Sequence, residues 1–259
     1  MLDRRRLLIS GVVNDESIAF AIARRAQDLG AEIALSAFPR DLDQARAAAA
    51  QLDGPVQVVA CDLTREEDVA ALSAAIGDLW GGLDGALHAV AFAPRAALGG
   101  DMLATPPGDV TIAFQTSCVS YAALARVLRD LAPAGGGSLV GLDFDAAGAW
   151  PVYNWMGVCK AGLEAASRYV ARDLGPAGIR SNLIAAGPIH TRAAGGIPDF
   201  GVLLDAWERR APMAWDARDT APVADAACFL FSDLARAVTG EILHVDGGYH
   251  AMAAALRPA

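Results

Sequence analysis

Seven short apolar runs recur along the chain, and most are separated by longer stretches whose apolar residues have helical spacing. The apolar runs predict β-strands at residues 6–11, 31–38, 55–61, 85–92, 137–144, 179–187 and 241–247. The longer stretches predict helices at residues 18–30, 41–52, 65–79, 109–132, 152–174 and 220–233. Near-continuous apolar strands that alternate with helices are typical of a parallel sheet covered on both faces. We therefore predict one α/β domain across residues 1–259, a doubly wound, seven-stranded parallel sheet with helices on both faces.

The composition excludes several classes of protein and agrees with the predicted α/β domain. Hydrophobic residues make up 54% of the chain and charged residues 20%, which is typical of a folded protein rather than a disordered one. No apolar run is long enough to span a membrane, and polar residues 14–16 end the run in MLDRRRLLISGVV before any cleavage site. The net charge of −9 argues against a nucleic-acid surface, which needs clustered cations. We expect a cytoplasmic protein that binds neither nucleic acid nor membrane.

The cysteines and histidines show no metal-binding pattern. The cysteines are scattered without a CxxC pair, which favours reduced core residues over zinc ligands or disulfide partners, at Cys61, Cys118, Cys159 and Cys228. The histidines also lack the spacing of metal ligands, at His88, His190, His244 and His250. The sequence therefore predicts no metal site.

The first candidate for chemistry is the turn GVVNDESIAF, because ligands of doubly wound sheets bind beyond the carboxyl ends of the strands. Gly11 can make the tight turn, and free amides around Ser17 and Ile18 can hold a pyrophosphate at the helix start. The turn lacks the GxGxxG fingerprint, and a plain helix cap at Asp15 or Ser17 explains it about as well. If a pyrophosphate binds here, Asp15 and Glu16 must point outward.

The second and third strand ends carry possible adenine contacts. Phe38 could cover an adenine face. The acid that usually binds the ribose hydroxyls at this position is missing before Asp41, so Arg40 could instead donate hydrogen bonds to a 2′-phosphate. The alternatives are a core phenylalanine and a solvated arginine. Asp62 could accept a hydrogen bond from the adenine amino group, or it could only cap the following helix.

The stretch YNWMGVCK holds Lys160, the only lysine in the chain, seven residues after Tyr153. Seven residues are close to two helical turns, so in a helix over residues 152–174 both side chains share one face, about 10 Å apart along the axis. The compact lysine ammonium suits ribose hydroxyls, and its charge favours a strongly donating phenol. The alternative is an ordinary surface lysine beside a half-buried tyrosine.

The longest stretches resemble one known family. GSLVGLDFDAAGAWPVYNWMGVCKAGLEAASRYVARDLG and IRSNLIAAGPIHT look like the enoyl-acyl-carrier-protein reductases of the short-chain dehydrogenase/reductase superfamily, closest to the actinobacterial, mycobacterial type. The YxxxxxxK spacing, the glycine-poor GxxxxxSIA turn, FPR, CDL and the closing TGEILHVDGGYHAM also fit. The resemblance spans nearly the whole chain. It implies a Rossmann-type domain, NADH as cofactor with NADPH left open by Arg40, thioesters of acyl carrier protein or coenzyme A as substrate, and a homotetramer.

The resemblance also implies roles for individual residues. Tyr153 would hydrogen-bond the thioester carbonyl and stabilise the enolate, Lys160 would hold the nicotinamide ribose, and Phe144 would lie beside the nicotinamide. The implied cofactor-binding set is Gly11, Ser17, Ile18, Phe38, Asp62, Leu63, Ala89, Val90, Ala91, Leu142, Lys160, Gly187, Pro188, Ile189 and Thr191. The implied substrate-binding set is Tyr153, Met156, Ile197, Phe200 and Leu203. As bare sequence, Phe144 and Met156 could be core residues and Gly187-Pro188 an ordinary turn.

Residues 191–212 resemble the substrate-binding lid of this family. The segment is shorter than the mycobacterial type, which suggests a pocket for ordinary rather than very long acyl chains. The alternative is a plain pair of surface helices.

Two stretches depart from the family pattern near the reaction centre. HAVAF replaces the usual HSIGF, and FQTSCVS places Ser117 where common short-chain dehydrogenases carry asparagine. Loss of the serine hydroxyl at Ala89 and the methyl added in place of glycine at Ala91 could each cost about 1 kcal/mol in cofactor binding. The departures keep two alternatives open: a paralogue that reduces another conjugated carbonyl in specialised metabolism, and a catalytically silent cofactor-binding protein. The intact Tyr153 and Lys160 argue against the second.

Overall fold

The computed structural model describes residues 1–257, and its centre is a parallel sheet. The strands are β1 (Arg6–Ser10), β2 (Glu32–Ala37), β3 (Gln57–Ala60), β4 (Gly85–His88), β5 (Gly137–Asp143), β6 (Ile179–Ala186) and β7 (Ile242–Val245). They lie in the order β3-β2-β1-β4-β5-β6-β7, and every neighbouring pair is parallel. The predicted seven-stranded sheet is confirmed. Several strands end earlier than predicted, most clearly β4, which stops at His88 instead of residue 92.

Eight α-helices surround the sheet in the described residues. They are α1 (Ile18–Asp28), α2 (Leu42–Ala49), α3 (Glu66–Trp80), α4 (Pro107–Phe114), α5 (Ser120–Leu131), α6 (Asn154–Leu174), α7 (Gly201–Arg210) and α8 (Ala221–Phe231). The single helix predicted for residues 109–132 is wrong in one respect, because a π-helical turn at Gln115–Val119 separates α4 from α5. Helix α7 lies within residues 191–212, for which the sequence predicts a lid with a pair of surface helices as the alternative.

The core is divided into two layers by the sheet, as alternate side chains of β1 show. Leu7 and Ile9 pack into the layer that contains α1 and α8, whereas Leu8 packs into the layer that contains α3 and α5. Strand side chains point alternately to opposite faces, so a strand buried on both sides must be apolar throughout. This burial explains why the strands read as continuous apolar runs.

Within residues 1–257, no helix is long and apolar enough to cross a membrane. The same residues contain no group of three or more potential metal ligands.

Candidate functional site

The strand order places β1 beside β4, and this break in sequence order is the switch point where doubly wound folds bind ligands. Gly11 follows β1 with a φ of +85°, a conformation that side-chain-bearing residues rarely adopt. A Cβ atom at Gly11 would overlap the backbone carbonyl of Ala89, just after β4. The glycine therefore lets the two loops meet at the carboxyl edge of the sheet.

The turn after Gly11 leads into the N-terminus of α1. Ser17 caps this helix: its Oγ accepts from the N–H three residues on at 3.2 Å and donates to the Asn14 carbonyl at 2.8 Å. Asp15 and Glu16 are both exposed, and the Asp15 carboxylate accepts a hydrogen bond from Gln51. Both acids are therefore exposed, as a pyrophosphate bound at this turn would require. The Ser17 cap leaves the remaining N-terminal amides available to an anion.

The end of β2 carries an exposed aromatic ring. Phe38 is 38% exposed, so the interpretation of Phe38 as a core residue is wrong. The Arg40 guanidinium lies over Phe38 and over Phe92, at 4.7 and 5.2 Å from the ring centroids, and 3.5 Å from the Asp41 carboxylate. Arg40 therefore covers a surface between the ends of β2 and β4.

Asp62, after β3, stabilises the turn before α3 but does not cap that helix, whose N-cap residue is Arg65. Its carboxylate accepts hydrogen bonds from the Thr64 backbone N–H at 2.9 Å and from the Thr64 hydroxyl at 2.7 Å. The turn before α3 is held in this way, and the adenine contact stays a prediction. Leu63 lies in the apolar layer with α3, so its backbone rather than its side chain is available to a ligand.

Tyr153 and Lys160 are both almost completely buried, with 7% and 5% exposed. This burial is unlike that of an ordinary surface lysine. The predicted helix over residues 152–174 included Tyr153, but the observed helix α6 begins one residue later, at Asn154. The residues on either side of Tyr153 have left-handed backbone angles, with φ of +58° at Val152 and +39° at Asn154. Such angles cost roughly 1–3 kcal/mol each outside glycine and cluster at functional sites.

The environment of the two side chains defines their charge states. Burial raises the pKa of Tyr153, and the nearby Asp143 carboxyl acts in the same direction, so the phenol stays protonated. The Lys160 ammonium donates to the Leu142 carbonyl at 2.8 Å. Burial lowers the pKa of Lys160, whereas Asp143 raises it. Tyr153 is therefore a protonated hydrogen-bond donor, and the Asp143 carboxyl acts on both Tyr153 and Lys160.

Four rings pack against one another beside Tyr153, and we call them the aromatic wall: Phe144, Trp150, Trp207 and Tyr249. Phe144 connects the wall to the site, since its ring centroid lies 5.1 Å from that of Tyr153 and 5.0 Å from that of Trp150. Trp207 and Tyr249 are stacked at 3.9 Å. Of these four rings, the sequence predicts only Phe144 as a site residue, because the fold brings the others to it from more distant positions.

The predicted substrate-binding residues are only partly brought together. Met156 and Tyr153 belong to one buried apolar cluster, and Ile197 packs against it. Phe200 instead makes an edge contact with the His190 ring at 5.7 Å. Leu203 is buried on α7.

The end of β6 is tightly packed under two tryptophans. A Cβ atom at Gly187 would lie 2.7 Å from Trp207 Nε1 and equally close to Trp215, so only glycine fits there. Trp215 also donates to the Pro188 carbonyl at 2.8 Å. Pro188 and Ile189 are buried, and their contact with the cofactor stays a prediction.

The predicted lid begins at Thr191, whose hydroxyl accepts a hydrogen bond from the backbone N–H of Ala194. Arg192 donates to Gln44 and so connects this segment to α2. The segment then forms a 3-10 turn and α7.

The two departures from the family pattern contact each other. Ser117 is buried in the π-helical turn, and its Oγ accepts from the Phe92 N–H and donates to the Phe92 carbonyl, both at 3.0 Å. Ala89 and Val90 are half-buried and Ala91 is exposed. Interruptions of this kind in helices are frequent at functional sites. Here the interruption fixes the loop after β4.

An open cavity of about 450 Å³ lies beside α7. It borders the predicted lid and the Trp215 ring that packs on Gly187, and it is bounded by Leu204, Glu208, Ala214, Trp215, Ala217 and Arg257.

The order of the sheet and the chemistry at its carboxyl edge define a dinucleotide-binding, Rossmann-like α/β protein. A family model described as enoyl-(acyl carrier protein) reductase matches residues 11–250. Relatives named enoyl-[acyl-carrier-protein] reductase [NADH] are 38% identical in Mycolicibacterium smegmatis, over 96% of this chain and 97% of the relative, and 39% in Neisseria meningitidis, over 96% and 95%. One from Rhizobium meliloti is 40% identical over 96% and 92%. The chain therefore belongs to the enoyl-acyl-carrier-protein reductase family, which confirms the resemblance seen in the sequence.

Proposed function

We propose that the protein is an NADH-dependent enoyl-acyl-carrier-protein reductase, which reduces the trans-2 double bond of enoyl thioesters in fatty-acid elongation. The observation that carries the proposal is the burial of Tyr153 and Lys160 together at the carboxyl end of β5. The relatives named above are all designated NADH-dependent enoyl reductases. Family membership and the buried pair thus support the same reaction.

An extended dinucleotide would lie along the carboxyl edge of the sheet. Phe38 and Asp62 would contact the adenine half, and the Gly11 turn with the N-terminus of α1 would hold the pyrophosphate. Lys160 would hold the nicotinamide ribose through its rotatable ammonium donors. When bound, NADH supplies the hydride that adds to the β-carbon. The Asp41 carboxylate beside Arg40 opposes a 2′-phosphate and so favours NADH over NADPH.

Tyr153 would act on the thioester carbonyl oxygen. The burial that raises the pKa of the phenol keeps its proton in place, so Tyr153 can donate a hydrogen bond as negative charge develops on the oxygen. Phe144 packs on the Tyr153 ring and excludes water from that side of the site. A dry surrounding strengthens the hydrogen bond to the developing enolate.

A spectrophotometric assay tests the proposed reaction. The protein is mixed with a trans-2-enoyl thioester of acyl carrier protein or coenzyme A and with NADH or NADPH, and loss of the reduced-nicotinamide absorbance is followed. We expect NADH to be consumed in proportion to saturated thioester formed, and NADPH to be consumed more slowly. Tight NADH binding without thioester reduction would contradict the proposal and favour a reductase of another conjugated carbonyl or a silent cofactor-binding protein.

The aromatic wall indicates that the acyl chain has limited room. Three of its rings extend behind Phe144, which itself contacts Tyr153, so bulky side chains occupy space close to the reacting carbonyl. This supports the substrate preference suggested by the short predicted lid at residues 191–212, namely acyl chains of ordinary rather than very long length.

Replacing Trp150 with alanine should therefore shift the preference toward longer acyl chains. We expect the ratio of kcat/KM for long over short enoyl thioesters to rise about tenfold or more, since each methylene accommodated in an apolar pocket is worth roughly 1–3 kcal/mol. Tyr169→Ala removes an exposed ring from α6 and serves as the control, with an unchanged ratio. An unchanged ratio in Trp150→Ala would show that the wall does not border the acyl chain.

The proposal includes the homotetramer and the cytoplasmic location expected from the family. Exposed apolar side chains on α4, the π-helical turn and α6 support self-association, at Ile112, Phe114, Val119 and Val158. Light scattering of the purified protein measures the mass of the assembly directly.

A further inference from the structure

One buried group is left unexplained by the proposed reaction. Asp143, the last residue of β5, is only 6% exposed, and neither of its carboxyl oxygens has a hydrogen-bond partner among the described residues. A buried polar group without a partner is costly, and a charged one is more so. Such a group calls for a compensating charge nearby.

The compensating charge is Lys160. Its ammonium binds the carbonyl of Leu142, the residue directly before Asp143, so the two opposite charges lie at the same strand end. Both are almost completely excluded from solvent. Opposite charges stabilise each other more strongly in such a setting than in water.

The other ionisable groups around the pair are mostly uncharged near neutral pH. Burial lowers the pKa of His88 on β4 to about 3, so this ring is neutral. Burial raises the pKa of the nearby phenols and thiols, which are therefore protonated: Tyr121 on α5, Cys118 in the π-helical turn, and Tyr153 and Cys159 at α6.

The two remaining carboxylates near Asp143 have partners of their own. Glu164 on α6 accepts a hydrogen bond from the Ala146 N–H and lies 3.8 Å from the Arg168 guanidinium. Asp145 accepts from the Ala147 N–H and lies 3.9 Å from the His244 ring. Both side chains are also partly open to solvent. Asp143 is thus the carboxylate left to balance the lysine.

We propose that Asp143 is a positioning residue for Lys160, a buried counter-charge that keeps the lysine ammonium charged beside Tyr153. The functional meaning of this inference rests on the proposed function, because a charged Lys160 is what would bind the ribose and assist the phenol. Asp143 itself acts through the lysine and not on the substrate.

The directions of the pKa shifts agree with this geometry. Burial raises the pKa of Asp143 to about 7, and Lys160 opposes that rise. Burial lowers the pKa of Lys160, and the Asp143 charge opposes that fall. Without the Asp143 charge, the effect of burial on Lys160 is less opposed, so the ammonium should lose its proton at a lower pH. NADH affinity should then decline at a correspondingly lower pH.

The chain offers an unusually direct test, because Lys160 is its only lysine. The protein is expressed with ¹³Cε-labelled lysine and without a lysine-bearing tag, so that the side chain gives a single NMR signal. The signal is followed from about pH 6 to pH 11, a range that brackets the ordinary lysine pKa. The measurement is made without cofactor or substrate, on wild type, Asp143→Asn and Glu164→Gln.

We expect Asp143→Asn to lower the titration midpoint of the Lys160 signal by roughly one pH unit or more, as loss of an adjacent opposite charge does. Glu164→Gln removes a carboxylate with the same charge and should produce a clearly smaller change. Equal midpoints in wild type and Asp143→Asn would overturn the inference, and so would equal shifts in the two variants. A purely structural role of Asp143 would leave the midpoint in place.

If Asp143→Asn does not fold, the wild-type titration still decides. The titration is then continued toward lower pH, where the Lys160 signal should show a second inflection as Asp143 takes up its proton; a signal with no inflection below its main midpoint would overturn the inference. Because no turnover is involved, this result is independent of the thioester assay. A wild-type protein without reductase activity would therefore contradict the proposed function alone.

Discussion

Replacing Lys160 with alanine is expected to weaken NADH binding roughly tenfold to hundredfold, the loss that removal of a charge-assisted hydrogen bond produces. The ammonium is buried beside β5 and would reach the ribose hydroxyls there. The dissociation constant is measured by NADH fluorescence titration of the wild type and the variant. Turnover at saturating NADH should also fall, because the charge that assists Tyr153 is lost.

Lys160→Arg is the matched control for charge. It retains the positive charge but replaces a compact ammonium with a planar guanidinium that fits neither the Leu142 carbonyl nor the ribose in the same way. We expect intermediate NADH affinity. Wild-type affinity in Lys160→Ala would show that this lysine does not contact the cofactor.

Replacing Tyr153 with phenylalanine is expected to lower kcat by about 10²–10³-fold, the usual effect of removing one donor to a developing oxyanion. NADH affinity should stay within about twofold of wild type, since the retained ring still packs on Phe144 and no charge is lost. Steady-state kinetics and NADH titration together separate these two effects.

Tyr121→Phe is the matched control for loss of a buried phenol. The Tyr121 hydroxyl, on α5, lies 2.7 Å from the Ser181 hydroxyl inside the core. We expect this variant to be less stable by about 1 kcal/mol but to keep its turnover. Equal turnover of Tyr153→Phe and wild type would remove Tyr153 from the reaction.

The fold was predictable because the strands are buried on both faces. A strand such as β1, with Leu7 and Ile9 in one layer and Leu8 in the other, must be apolar throughout, and the sequence shows this directly. The break between α4 and α5 was not predictable in the same way. It depends on Ser117 bonding to the Phe92 backbone, a tertiary contact between residues 25 apart.

In the candidate site, too, local features could be predicted from the sequence and contacts made by the fold could not. The spacing of Tyr153 and Lys160 is local, so the sequence could place them two turns apart, although the strained backbone at Val152 and Asn154 puts Tyr153 just before the helix. The aromatic wall joins rings from positions 144, 150, 207 and 249, which only the fold brings together. The unpaired state of Asp143 likewise depends on burial, which a sequence motif does not record.

The central claim is that the Tyr153 phenol and the Lys160 ammonium face one bound nicotinamide. A crystal structure of the NADH complex tests it most directly, through the distance from Lys160 Nζ to the ribose oxygens nearest the nicotinamide. We expect a hydrogen bond of about 3 Å, with the Tyr153 hydroxyl beside the nicotinamide face where the thioester carbonyl would lie. A nicotinamide bound elsewhere, with Lys160 out of reach of the ribose, would contradict it.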